Sequence, residues 1–110
     1  MKYLCLVYSD ENALGSIQDA ECLDVSDSLK RSGHRIAAEA LHPVRAATTV
    51  RVREGRVSIT DGPFAETKEQ LAGFYLIEAE DLDDALRVAA RIPAARVGSV
   101  EVRPVRELQP

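Results

Sequence analysis

KYLCLVY at Lys2 to Tyr8 and GFYLIEA at Gly73 to Ala79 are the two stretches on which the fold turns. Successive strand residues point to opposite faces. Both stretches are apolar at both alternating sets of positions, which is how a central strand covered on its two sides reads. A helix of this length would be marginal in water. Ser9-Asp10 bounds the first stretch, while Phe74, Tyr75 and Ile77 supply β-favouring side chains to the second.

Working outward, residues 9 to 15 are polar with Gly15 and read as a loop. A helix is expected from Ser16, with Ser16 and Asp19 at capping-box spacing and Cys22, Val25 and Leu29 on one side. Lys30 and Arg31 suit its C-terminal dipole end, and Gly33 its left-handed stop. Arg35 to Leu41 reads as a short strand ended by His42-Pro43. Thr48 to Arg53 alternates, Glu54-Gly55 turns, and Val57 with Ile59 resumes the alternation, making a hairpin. After the second central strand, Asp81 caps a helix whose stripe is Leu82, Ala85, Leu86, Ala89 and Ile92. Ser99 to Val105 is the last strand, placed near an edge by Pro104.

This order specifies an α+β domain over residues 1–110: a ferredoxin-like βαββαβ-type sheet with an extra hairpin and two helices on one face. No third helix exists to cover the other face. Burying a Leu or Phe is worth roughly 1.5–3 kcal/mol, and a whole domain is stable by only about 5–15 kcal/mol. The economical cover is a second copy packed sheet to sheet, a homodimer. The rival is that the hairpin of residues 42 to 60 folds back over that face.

Composition narrows the function. The chain is 45% hydrophobic and 29% charged, with a net charge of -4, 5% aromatic residues and no Trp. Such a chain lacks both the basic footprint and the stacking rings of a nucleic-acid binder. Arg51, Arg53 and Arg56 read as a solvated strand face. Cys5 and Cys22 lie inside apolar-periodic segments and read as small buried residues in a reducing compartment. The chain shows no signal-peptide pattern at Met1 and no apolar run approaching the roughly 18 residues of a membrane span, so a cytoplasmic protein is expected.

DGPFAETKEQLAGFYLIE at residues 61 to 78 resembles the signature of the DGPF family, a branch of the YCII-related proteins. The resemblance extends through DLDDALRVAARIPAARVGSVEVRPV at 81 to 105, EALHPVRAATTVRVREGRV at 39 to 57 and the N-terminal MKYLCLVYSDE. It implies a dimeric α/β-barrel, in a superfamily that includes cofactor-free enzymes acting on small molecules. It also implies a gene context beside extracytoplasmic-function sigma factors. Related YCII proteins carry a first-helix histidine paired with an aspartate, whereas this helix reads ECLDVSDSLKRSG and has none.

Asp61, before Gly62-Pro63, is the candidate catalytic acid or base, since a rigid strand-end carboxylate beside a cleft suits that work. As a turn-former it would bond its own backbone instead. Tyr8, Glu39, Phe64, Glu66 and Lys68 are the candidate substrate-binding residues; the alternatives are packing for Tyr8 and Phe64 and solvent for the rest. His34 and His42 have no metal-site spacing, and no nucleotide, flavin or zinc motif occurs, so neither cofactor nor metal is expected. Two functions stand. One is a small-molecule binder acting as a cofactor-free enzyme through Asp61. The other is a non-enzymatic regulatory or partner-binding module associated with a sigma factor.

Overall fold

The computed structural model describes residues 1–110. Its elements are β1 (Lys2–Ser9), α1 (Glu11–Leu14), α2 (Asp19–Arg31), β2 (Arg35–Ala40), β3 (Thr48–Arg53), β4 (Arg56–Asp61), β5 (Gln70–Glu78), α3 (Leu82–Ala89) and β6 (Ser99–Pro104). Short 3-10 turns lie at Val44–Ala46 and Pro93–Arg96. The main sheet runs β2-β5-β1-β6, antiparallel throughout, with the two doubly apolar strands at its centre. Strand, helix, strand occurs twice and interleaves, which is the ferredoxin-like α+β arrangement.

Local chemistry fixes the boundaries. The Asp81 carboxylate accepts from the Asp84 backbone N–H at 2.8 Å and starts α3. Gly33 takes φ 82 beyond α2, where His34 N–H reaches back to the Leu29 carbonyl at 3.0 Å. Glu54 and Gly55 both have positive φ, 53 and 74, as the tight turn between β3 and β4 demands.

Three expectations are corrected. A helical turn, α1, stands where a loop was expected, capped by Asp10, whose carboxylate accepts from Asn12 N–H at 2.9 Å. The Ser16 hydroxyl donates to the Ala13 carbonyl, so it closes α1, and α2 starts at Asp19 without a side-chain cap. In α3, Leu82 and Leu86 are about half exposed and the buried residues are Ala85, Val88 and Ala89. The helix is rolled to present the 85-88-89-92 row, whose small side chains let it sit close to the sheet.

The core lies entirely between helices and sheet. Tyr3, Cys5, Val7, Tyr75 and Ile77 point from the central strands towards Leu29, Ala85, Val88 and Ile92. On the opposite face, Leu4, Leu6, Phe74 and Leu76 are paired neighbours with no layer above them. Lys2, Glu78, Glu101 and Arg103 surround that patch in register. An apolar centre with a polar rim is the anatomy of a protein interface.

The hairpin does not cover this face. β3 and β4 form a separate two-stranded sheet. The molecule measures 46 × 43 × 18 Å, and 18 Å accommodates one helix layer on one sheet but no further sheet about 10 Å above it. The radius of gyration is 15.6 Å, against about 13 Å for a compact domain of this length. The surface is 7893 Å², roughly 1,900 Å² more than the ~6,000 Å² of a compact 12.0 kDa monomer. No helix is long and apolar enough to cross a membrane.

Candidate functional site

The alanines of β2 decide where space is left inside the molecule. Ala38 pairs with Tyr75 and Ala40 with Gly73, so this edge of the helix-facing sheet surface carries almost no side-chain volume. Gly73 cannot be filled, because a Cβ there would lie 2.8 Å from the Glu39 carbonyl oxygen. The result is a cavity of about 490 Å³ between the sheet edge, α1 and α2. Val7, Ala38, Ala40 and Tyr75 line it from the sheet, and Leu14, Ile17, Cys22 and Ser26 from the helical side. Its size falls within the roughly 300–1,000 Å³ of small-molecule sites.

Tyr75 is the polar feature of this cavity. The residue is 9% exposed, yet its hydroxyl makes no hydrogen bond within the chain. No side-chain polar atom fully cut off from solvent lacks a partner, so the hydroxyl keeps its contact with the cavity. Burial pushes the phenol above its ordinary pKa, with a smaller push from Cys22, so it stays protonated as both donor and acceptor. Cys22, on α2, is also raised, first by burial and then by Asp19 and Glu21. Cys5 is pushed up to about 11 by burial and is an inert core thiol. Both cysteines are free.

The charged side chains of the cavity wall are acidic. Glu11 and Asp19 line it, with His42, and no Lys or Arg does. One Glu11 oxygen is committed to the Val44 N–H at 2.7 Å. One cation nevertheless stands beside the wall: the Arg35 guanidinium donates to the hydroxyl of the lining Ser26 and acts on Tyr75 in the direction opposite to burial.

Of the sequence-derived residues, only Glu39 borders this cavity. Its pairing with Phe74 sends its side chain to the open sheet face, so its backbone forms the wall. Tyr8 lies half-buried on the open face, in a shallow groove with Glu69, Ser99 and Glu101. Asp61 is exposed at the end of β4, Phe64 is 78% exposed, and Glu66 and Lys68 are exposed in the segment leading to β5. These residues do not converge within one chain. Sequence reasoning misses Tyr75 as a polar candidate because it sits inside an apolar run. Its signal is a phenol paired with an alanine across the sheet, which only the strand register reveals.

A second cluster joins the helix ends. His34 Nε2 lies 3.1 Å from an Asp84 carboxylate oxygen, and Nδ1 lies 2.7 Å from the Ser32 hydroxyl. The trio has the membership of a hydrolytic triad but not its surroundings. The N–H groups of Ser32, Gly33 and His34 are all spent on carbonyls of α2, so none is free to hold an oxyanion. Its role is a clamp between α2 and α3. Asp84 is held below the usual carboxylate range, first by the Glu80 backbone N–H and then by His34. A depressed folded pKa stabilises above the unfolded value, near 3.9, and that stability is lost as pH falls through the folded value. Asp84→Asn keeps an acceptor for Glu80 but loses the charge. Its stability deficit in urea melts should be full above about pH 5 and shrink as pH falls through the folded value. No three His, Cys, Asp or Glu side chains gather to hold a metal.

Comparison with known proteins gives one consistent answer. Residues 1–109 match the model of the YCII-related domain. A protein of Rhizobium meliloti (strain 1021), described only as uncharacterized, is 39% identical over 119 aligned residues, covering 100% of this chain and 96% of that one.

Proposed function

The chain belongs to the YCII-related family, and from that footing we propose that it is a homodimeric protein that binds a small, mainly apolar molecule in the cavity beneath α2. The observation that carries this reading is Tyr75: a residue nine-tenths buried whose hydroxyl has no partner within the chain and stays open to space large enough for a ligand. Within one chain Asp61 stands outside the cavity, so an acid–base role for it requires a second copy to bring it to a bound molecule. A partner-binding module is the second reading, supported by the exposed apolar hairpin and tested with it below.

Ligand binding to the folded state raises its melting temperature. A thermal-shift panel should contain aromatic and alkyl amines and alcohols beside their carboxylate counterparts. Neutral alcohols should shift the transition, and the amine and carboxylate arms read how Arg35 and the acidic wall weigh against each other. Tyr75→Phe should weaken the best binder about tenfold, the worth of one hydrogen bond, while leaving the ligand-free melting point nearly unchanged. Ala40→Leu should fill the space and abolish binding. A panel without a single shift, or a binder indifferent to both substitutions, would refute the assignment.

A further inference from the structure

We propose that the β3–β4 hairpin is an arm that clasps the second copy of the chain, and that the Asp61–Phe64 segment is the root that aims it. The inference rests on the homodimer reading and extends it to a surface outside the main sheet.

The arm has two unlike faces. Register pairs Val50 with Ile59 and Val52 with Val57, so four aliphatic side chains share one face. They are exposed by 61%, 68%, 57% and 65% in that order. Arg51, Arg53 and Arg56 occupy the other face and suit water. A lone two-stranded ribbon is marginally stable in water, and one with a bare aliphatic face is an adhesive surface.

The arm is nevertheless held stiffly. The Gly62 N–H donates to the Ala47 carbonyl at 2.8 Å, and the Thr49 hydroxyl donates to the Gly62 carbonyl at 2.8 Å. Arg51 donates to the Phe64 carbonyl at 3.1 Å. Gly62 sits at φ 104, a conformation closed to most side chains. This root holds Phe64 78% exposed. A turn built to fix the arm's direction while leaving a phenyl ring in water suits docking better than packing.

Surface area selects the occupant. The chain carries roughly 1,900 Å² beyond a compact monomer of its mass. A standard interface hides only about 800 Å² per partner. Sheet-to-sheet contact of that size would leave more than half of the excess uncovered, and the arm is where large aliphatic exposure remains. A twofold dimer that also buries both arms removes the excess with a single partner.

The test uses the full chain and a fourfold variant, Val50→Thr, Val52→Thr, Val57→Thr and Ile59→Thr. Threonine keeps the β-preference, so the hairpin should persist, which circular dichroism checks. By sedimentation equilibrium the fourfold variant should dimerise at least about 100-fold more weakly, since a hydroxyl replaces a buried methyl at each valine and a buried ethyl at Ile59. In a separate Ile59→Cys variant, maleimide labelling of the introduced thiol should slow as the protein is concentrated from monomer to dimer. A dimeric parent whose fourfold variant dimerises equally well would overturn the arm and leave the dimer standing. So would an introduced thiol that labels at one rate in both states, which would mean the arm is free for another partner. A parent that is monomeric throughout would end the dimer reading itself.

Discussion

Gly98→Ala should destabilise the fold by ~3 kcal/mol, the upper part of the range for forcing extra volume into a packed site. A Cβ at residue 98 would collide with the Tyr8 carbonyl oxygen and lie 3.0 Å from the Ser9 Cα. The first contact is with backbone, so no rotamer change relieves it. The obstructing strand is β1, the central strand that pairs with both β5 and β6, so the displacement would spread across the sheet. Gly98 also donates its N–H to the Ala94 carbonyl at 2.8 Å, which ties the 3-10 turn to the start of β6. At about 4 °C or more per kcal/mol for a domain of this size, the melting temperature should fall by about 12 °C or more. A fall below about 2 °C by calorimetry would mean that the Gly98 contact yields easily. Gly33→Ala is the useful contrast: space around Gly33 is open, and only its positive φ resists a side chain. Its cost should be nearer ~1 kcal/mol.

Leu6→Lys should convert the protein to a monomer under conditions where the parent is a dimer. Leu6 sits between Phe74 on β5 and Glu101 on β6, in the middle of the open face. In one chain it is only half-buried, so lysine can reach water and the monomer should melt within a few degrees of the parent. In a sheet-to-sheet dimer the same position is central, and the twofold axis brings in two ammonium groups. Burying an unpaired charge at an interface costs about 2–5 kcal/mol, so the dissociation constant should rise about 1,000-fold or more. Leu6→Met, which conserves volume, should leave dimerisation within about tenfold of the parent. If Leu6→Lys dimerises like the parent, the open face is not the interface.

How much of this is legible in the sequence differs between fold and site. KYLCLVY and GFYLIEA announce the two central strands because double-sided hydrophobicity in so short a run fits little besides a strand covered on both faces. The Asp81 cap, the Gly33 stop and the Glu54-Gly55 turn are each written in one or two residues whose chemistry is local. The single turn α1 is not legible, since four residues are too few to show a helical period. Periodicity places the stripe of α3 about Leu82 and Leu86, yet the sheet accepts the row with Ala85 and Val88, a choice made by fit. The hairpin strands are plain from alternation, but where the hairpin lies is tertiary information. The cavity is the least visible part. Its wall pairs Ala38 with Tyr75, far apart in sequence, and its roof comes from α1. The alanines around Glu39 do signal room for a ligand, although the glutamate itself turns to the other face. Likewise His34 and Asp84, separated by 50 positions, meet where the end of α2 comes near the start of α3 on the same sheet face, and no spacing rule encodes that.

Sedimentation equilibrium of the unmodified chain, run from about 1 to 100 μM alongside circular dichroism, bears most directly on the whole. A face with Leu4, Leu6, Phe74 and Leu76 at its centre should hold two chains together, giving twice the 12.0 kDa chain mass over most of that range. A fully folded species that stays at 12.0 kDa across it would show that the bare sheet is tolerated in water, and the dimer would fall.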